Sequence, residues 1–156
     1  MAGTYVFGTA PVGPGVEWRE HHLRIEQVPV ASGSTINKGD LILMTANGAV
    51  QATQSACAAA PGKLGVALMA SSSSGTGWVP VPGIPAGYIR AAFGGFLGVN
   101  KVNNDSYFIG QPLGASTSAG LVTSATEGSG AMPYLVGHSM EATVSGDKSV
   151  GIQLIE

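Results

Sequence analysis

Gly39-Asp40-Leu41-Ile42-Leu43-Met44-Thr45-Ala46-Asn47-Gly48-Ala49-Val50-Gln51-Ala52-Thr53 reads as a strand, a tight turn and a returning strand. An apolar run enters Ala46-Asn47-Gly48, and Asn-Gly between apolar runs is the strongest short-range hairpin signal because these residues tolerate positive φ. The same outline returns at Gly110-Gln111-Pro112-Leu113-Gly114-Ala115-Ser116-Thr117-Ser118-Ala119-Gly120-Leu121-Val122-Thr123-Ser124, 71 residues on, becoming 72 with one residue inserted in the second turn. At the offset of 72, Lys63-Leu64-Gly65-Val66-Ala67-Leu68 meets Leu135-Val136-Gly137-His138-Ser139-Met140. Each copy is therefore a hairpin, a stretch of small residues and a strand with a central glycine, so Gly65 and Gly137 are expected at equivalent positions. The two blocks span about residues 36–68 and 110–140.

Outward from the repeat, short apolar runs alternate with turn residues every eight to twelve positions, as at Asn37 to Asp40, Pro61-Gly62, Pro82-Gly83, Gly94-Gly95, Asn103 to Asp105 and Ser145 to Asp147. That rhythm predicts an all-β fold, a small barrel or sandwich built from a pseudo-duplicated hairpin unit. Trp78 to Val81 and Tyr88 to Val99 supply further strands, with Trp78, Phe93 and Phe96 as core anchors. Helical periodicity is confined to one turn at Gln54 to Ala60. Ahead of the β domain (31–156) lies a segment of different character (1–30). Met1 to Gly15 is rich in Gly and Pro and reads as an extended arm. Glu17 to Glu26 carries five of the sixteen formal charges, with His21 and His22 between them. Its apolar phase shifts from Val16 and Trp18 to Leu23 and Ile25, suggesting two strand pieces joined by a bulge.

The 156 residues suffice for one domain that buries roughly 70% of its unfolded surface without a staple. Only 10% of the chain is charged, with 7 Lys plus Arg against 9 Asp plus Glu, far below the usual share of about 25%. Seven scattered cations exclude phosphate neutralisation along a nucleic acid and a polybasic membrane anchor. No apolar run reaches the length of a membrane helix and no secretory leader stands at the N-terminus, so synthesis in a cytoplasm is expected. The single cysteine, Cys57, forms no internal disulfide and reads as a small buried apolar residue.

No residue set converges on chemistry. His21 and His22 with Glu20 and Glu26 include ligand types, but adjacent strand residues point to opposite faces, so no metal site is expected. His138-Ser139 pairs a base with a nucleophile, yet no elbow motif accompanies it and His138 holds the repeat position of Val66. Asp40, Asp105 and Asp147 sit in turns, where Asp bonds nearby backbone. Gly75-Thr76-Gly77 and Gly128-Ser129-Gly130 lack the Lys and helix of a phosphate loop. Asn104-Asp105-Ser106 matches a glycosylation acceptor without a secretory context. No catalytic residue, metal or cofactor is assigned, and the chain reads as a non-enzyme.

The string Gly39-Asp40-Leu41, Asn47-Gly48-Ala49-Val50 and Gly62-Lys63-Leu64-Gly65-Val66-Ala67-Leu68 resembles the pattern of tailed-bacteriophage capsid decoration proteins, also called cement or head-stabilising proteins. The likeness covers Ile36 to Leu68 well and Gly110 to Met140 weakly, where Pro112 and Gly114 replace apolar residues. It implies a structural virion protein on the capsid exterior, assembled in the host cytoplasm, that stabilises the shell by bridging major capsid protein subunits. It also implies a homo-oligomer, with a trimer favoured, and no nucleic-acid or membrane partner. The arm from Ala2 to about Val30 would then make capsid and neighbour contacts through Tyr5, Phe7, Val12, Val16, Trp18, Arg19, His21, His22 and Arg24. The alternative is a receptor- or carbohydrate-binding module of a phage head or tail fibre, which would need an aromatic platform drawn from Trp18, Trp78, Tyr88 and Tyr134.

Overall fold

The computed structural model describes residues 23–73 and 84–155. Ten strands run through them: β1 (Ile25–Pro29), β2 (Leu41–Thr45), β3 (Gly48–Gln51), β4 (Leu64–Ala67), β5 (Tyr88–Ala92), β6 (Gly95–Asn100), β7 (Pro112–Ala115), β8 (Val122–Ser124), β9 (Leu135–Ser139) and β10 (Ser149–Leu154). One helix, α1 (Gln54–Ala59), stands where the single helical turn was expected, and Thr53 caps it by accepting from the Ala56 amide at 3.0 Å. The strands form two antiparallel five-stranded sheets, β1-β5-β4-β2-β3 and β6-β10-β9-β7-β8. Subtracting five from each label of the second order gives the first. The fold is all-β and the duplication covers every strand.

Equivalent backbone bonds recur in the two copies. The Gly39 amide donates to Ala67 at 2.8 Å and the Gly110 amide to Ser139 at 2.7 Å. In return, the Ala67 amide donates to Asp40 and the Ser139 amide to Gln111, both at 2.9 Å. The Ile36 amide donates to Ser71 Oγ at 3.0 Å, and the Tyr107 amide to Thr143 Oγ1 at 3.1 Å. Val30, just past β1, forms a parallel bridge with Ala49 of β3, and Lys101, just past β6, does so with Val122 of β8. Each sheet thus curls until its two edge strands touch at one bridge.

Gly65 pairs with Ile42, and Gly137 with Leu113, so the two glycines are equivalent as expected. A Cβ on Gly65 would lie 2.6 Å from the Phe93 ring, and one on Gly137 only 2.0 Å from the Gln153 carbonyl oxygen. Glycine is required at both places by close approach.

Three expectations need correction. Ile25–Pro29, grouped with the arm, is β1 and pairs along its length with β5, so the β domain starts before residue 31. In the first hairpin only Gly48 takes positive φ, 116°, while Asn47 does not, so the glycine at the turn's exit absorbs the strain. The second hairpin gains two residues rather than one. Ile42 pairs with Gln51 in the first copy and Leu113 with Ser124 in the second, an offset of 73 for the return strand that falls back to 72 at β9. Pro112 begins β7, where a missing N–H is tolerated, and pairs with His138.

Side-chain alternation divides the core. Ile42, Ala49, Ala67, Ile89 and Ala91 point inside the first curled sheet with Val28, Ile36, Met69, Ile84 and Phe93. Leu41, Leu43, Val66 and Ala92 point the other way and share one cluster with Leu97, Ala115, Val136 and Leu154 of the second sheet. Cys57 on α1 is 3% exposed and belongs to that shared cluster. Of the expected anchors, Phe93 is buried and Phe96 half-buried, while Trp78 lies outside the described residues.

Gly137→Ala should cost about 3 kcal/mol in urea unfolding, because the methyl meets rigid backbone. Gly128→Ala should cost only about 1 kcal/mol, since its loop is open and only the positive φ resists.

Candidate functional site

Among the described residues, buried polar side chains gather at the seam between the copies and in the interior of the second sheet. At the seam, Asp40 is 3% exposed. Its Oδ2 accepts from the Asn37 amide at 2.8 Å and from Gln51 Nε2 at 2.6 Å, while Oδ1 accepts from Asn100 Nδ2 at 3.0 Å. Around it the Leu41 amide donates to Gly120 at 2.8 Å, the Asn100 amide to Gly39 at 2.8 Å, and the Gly120 amide to Ala52 at 3.0 Å. A Cβ on Gly120 would lie 2.8 Å from Asp40 Cγ. The carboxylate is fully engaged as a structural acceptor, as its turn position suggested.

The second interior differs from the first at matching positions. Where the first has Ala67 and Met69, the second has Ser139, fully buried, and Glu141, 5% exposed. Ser139 Oγ donates to the Glu141 carbonyl at 2.5 Å, and Glu141 Oε1 accepts from the Gly151 amide at 2.8 Å. Where the first has Ile36, the second has Tyr107, whose hydroxyl donates toward Asp105 Oδ2 at 2.9 Å and lies 3.1 Å from the Val122 carbonyl. Thr123 Oγ1 donates to the same Asp105 oxygen at 2.6 Å. Lys101, 2% exposed, donates from Nζ to the Val102 and Asp147 carbonyls at 3.0 and 2.8 Å and sits 5.5 Å from the Tyr107 ring centre.

Burial pushes the Tyr107 hydroxyl far above the usual tyrosine range, and its bond to Asp105 adds to the shift. Burial pulls the Lys101 ammonium below its ordinary value, with Asp105 and Asp147 opposing. Burial likewise raises the Cys57 thiol. On the surface, Lys63 holds Glu26 below the ordinary carboxylate range through a 2.5 Å hydrogen bond, and Arg24 stands 3.8 Å from the same oxygen.

The structure separates His138 from Ser139. They are consecutive on β9, so Ser139 faces the interior while His138, half-buried, pairs across to Pro112 and Gln153, the ladder position Val66 holds in the first copy. Asp147 closes its turn by accepting from the Val144 amide at 3.0 Å. Of the arm residues, Tyr5, Phe7, Val12, Val16, Trp18, Arg19, His21 and His22 lie outside the described residues, as do Glu20 and the 75–77 loop. Arg24 extends the β1–β5 ladder, accepting from the Phe93 amide at 2.8 Å and donating to Gly94 at 3.1 Å. No helix among the described residues is long and apolar enough to cross a membrane.

Sequence reasoning missed an apolar tip on the second copy. Adjoining the Tyr107 to Thr143 bridge, Phe108 is 64% exposed and Ile109 67% on one side, and Val144 64% on the other. The matching positions of the first copy are Asn37, Lys38 and Ser72. The turn is otherwise the same, since the Phe108 amide donates to Gln111 Oε1 at 3.1 Å as the Asn37 amide does to Asp40. Comparing the copies position by position was the signal available for it.

The chain matches no protein-family model and no curated protein sequence.

Above pH 10, an unfolded tyrosine ionises while Tyr107 stays protonated, so the native state binds the extra proton and stability falls as pH rises. Lys101 acts in the opposite sense, since its unfolded form holds the proton to higher pH. Tyr107 is shifted further, so wild-type stability should decline above about pH 10 and Tyr107→Phe should flatten that decline in urea melts.

Proposed function

We propose that the protein is a structural component of a tailed-phage virion that binds the capsid exterior and stabilises it by bridging major capsid protein subunits. It acts there as a homo-oligomer, a trimer by the resemblance, assembled in the host cytoplasm, and carries out no chemistry. The observation that carries this reading is a divergence at one tip between two copies that share the same strand order. The hydrogen bonds of the 36–40 turn are kept at 107–111, yet its exposed residues change from Asn37 and Lys38 to Phe108 and Ile109. Apolar side chains two-thirds exposed at one tip suit contact with another protein. The polar groups inside the second sheet bond to their own fold and support it rather than a reaction.

A shell offers many identical sites, so a small body that bridges subunits gains from avidity without needing a deep pocket. An extended arm adds main-chain bonds at exposed sheet edges. In this reading the arm ahead of β1, with Tyr5, Phe7 and Val12, makes the second contact. The carbohydrate-binding alternative finds less support. Tyr88 opens β5 while Tyr134 lies near Phe93 past that strand's other end, roughly 15 Å along the strand, so these two do not share a platform.

Phe108→Asp combined with Ile109→Ser should leave folding stability within about 0.5 kcal/mol, because both side chains are exposed. Occupancy on purified shells, read by quantitative mass spectrometry, should fall at least about tenfold. Deleting Met1 to Gly15 should lower occupancy as well. Unchanged occupancy for both variants would refute the reading.

A further inference from the structure

The seam inside the chain joins two unlike faces. The first copy brings its 37–41 turn, and the second brings the end of β6 and the turn at Gly120. Across it the Asn100 amide donates to Gly39 at 2.8 Å, Asn100 Nδ2 to the Lys38 carbonyl at 3.2 Å and the Leu41 amide to Gly120 at 2.8 Å. Because the copies share one strand order, each also carries the face that the other one uses. The second copy repeats the turn at 108–112. On the first copy, Val30 makes the bridge that Lys101 makes on the second, so Pro29 stands where Asn100 does, and their ladder partners Tyr88 and Ser149 match in turn. The 45–48 turn abuts Pro29, since a Cβ on Gly48 would lie 2.9 Å from the Pro29 carbonyl oxygen. Among the described residues, no third copy meets either of these two faces.

Both spare faces are apolar where the seam is polar. Asn37 and Lys38, exposed at the rim of the seam, correspond to Phe108 and Ile109, 64% and 67% exposed. On the first copy, Asn100 and Ser149 correspond to Pro29, exposed, and Tyr88, 38% exposed. Six large apolar side chains are exposed among the described residues, and four of them, Tyr88, Phe108, Ile109 and Val144, lie on these two faces. The donors of the seam are withdrawn as well, because Pro29 and Pro112 have no N–H where Asn100 and Leu41 do. Replacing polar partners by apolar groups on both sides leaves no buried donor unmatched.

We propose that these two faces meet between chains, the Phe108-Ile109 tip of one molecule docking on the Pro29-Tyr88 face of a second copy. The contact continues the order of the internal seam from one chain to the next, with apolar packing in place of its hydrogen bonds. Since the two faces differ, the association is head-to-tail and ends where a ring closes. Three exposed side chains at the tip fall short of the roughly 800 Å² per partner that a standard interface buries, so each contact is weak alone. A ring, in which every chain uses both faces, reinforces it. The inference names the contact of the proposed homo-oligomer and rests on that reading only in taking the tip as a contact surface. Free protein tests it, so its failure would leave shell binding standing.

Sedimentation velocity of the full-length protein over a dilution series reads the association. Wild type should form assemblies that dissociate to the 15.6 kDa monomer on dilution. Phe108→Asp with Ile109→Ser, and separately Tyr88→Ser, should each raise the concentration of half-assembly at least about tenfold. Mixing the two variants at the highest concentration should restore pairs and nothing larger, because one intact tip then meets one intact Tyr88 face. Ala46→Asp, at an exposed position of the turn beside Pro29, replaces Tyr88→Ser should the latter alter the circular dichroism spectrum. A wild type that stays monomeric at the highest concentration would overturn the proposal. So would unchanged assembly in a folded variant of either face, and so would a mixture that fails to pair, since the contact would then join like faces.

Discussion

The two halves of this molecule meet at a hydrogen-bonded seam built around one buried carboxylate. Asp40 closes its own turn through the Asn37 amide, holds Gln51 of the returning strand and reaches Asn100 at the end of β6. A buried acid bonded on both oxygens is costly to disturb, because each partner left behind is a desolvated polar group. The neighbouring Gly120 has no room for a side chain against Asp40, so the second hairpin must present backbone there. Together with the backbone bonds beside it, this contact holds the copies in register, and Leu41, Leu43, Val66, Leu97 and Val136 share one buried cluster between them.

Given that seam, the copies divide their labour. The first interior is apolar, with Ile42, Ile36, Met69 and Ile89 at positions where the second places Leu113, Tyr107, Glu141 and Val150. Polar substitution inside the second copy is tolerated because each replacement brings its own partners, Glu141 with the Gly151 amide and Tyr107 with Asp105. The compensating change is outside, where the second tip exposes Phe108, Ile109 and Val144. A copy whose scaffold no longer needs to be identical is free to present a different surface.

Much of the fold could be read from residues alone where side chains dictate backbone. The first hairpin was marked by Asn47-Gly48, and the equivalence of Gly65 and Gly137 by glycines that close packing demands. The kinship of β1 with β6 and of β5 with β10 was not legible, because ladder bonds are made by backbone and sequences as unlike as Ile25–Pro29 and Gly95–Asn100 fill the same place. The second turn's length was misjudged for a similar reason, since Ser, Thr and Ala there leave the register to be set by the strands. Asp40 and Asp147 were read correctly as acceptors from turn backbone, Asp105 instead accepts from the Tyr107 and Thr123 hydroxyls, and the Phe108 tip was hidden because two exposed apolar residues in a row look like strand.

In the proposed function the molecule acts by contact, on a shell that supplies many copies of its partner. Density-gradient fractionation of a lysate from the native source, with the chain located by mass spectrometry, tests this most directly. The protein should migrate with large particles, in a fixed and high ratio to their major shell protein. Migration as a free 15.6 kDa species or a small oligomer, absent from every particle fraction, would contradict it.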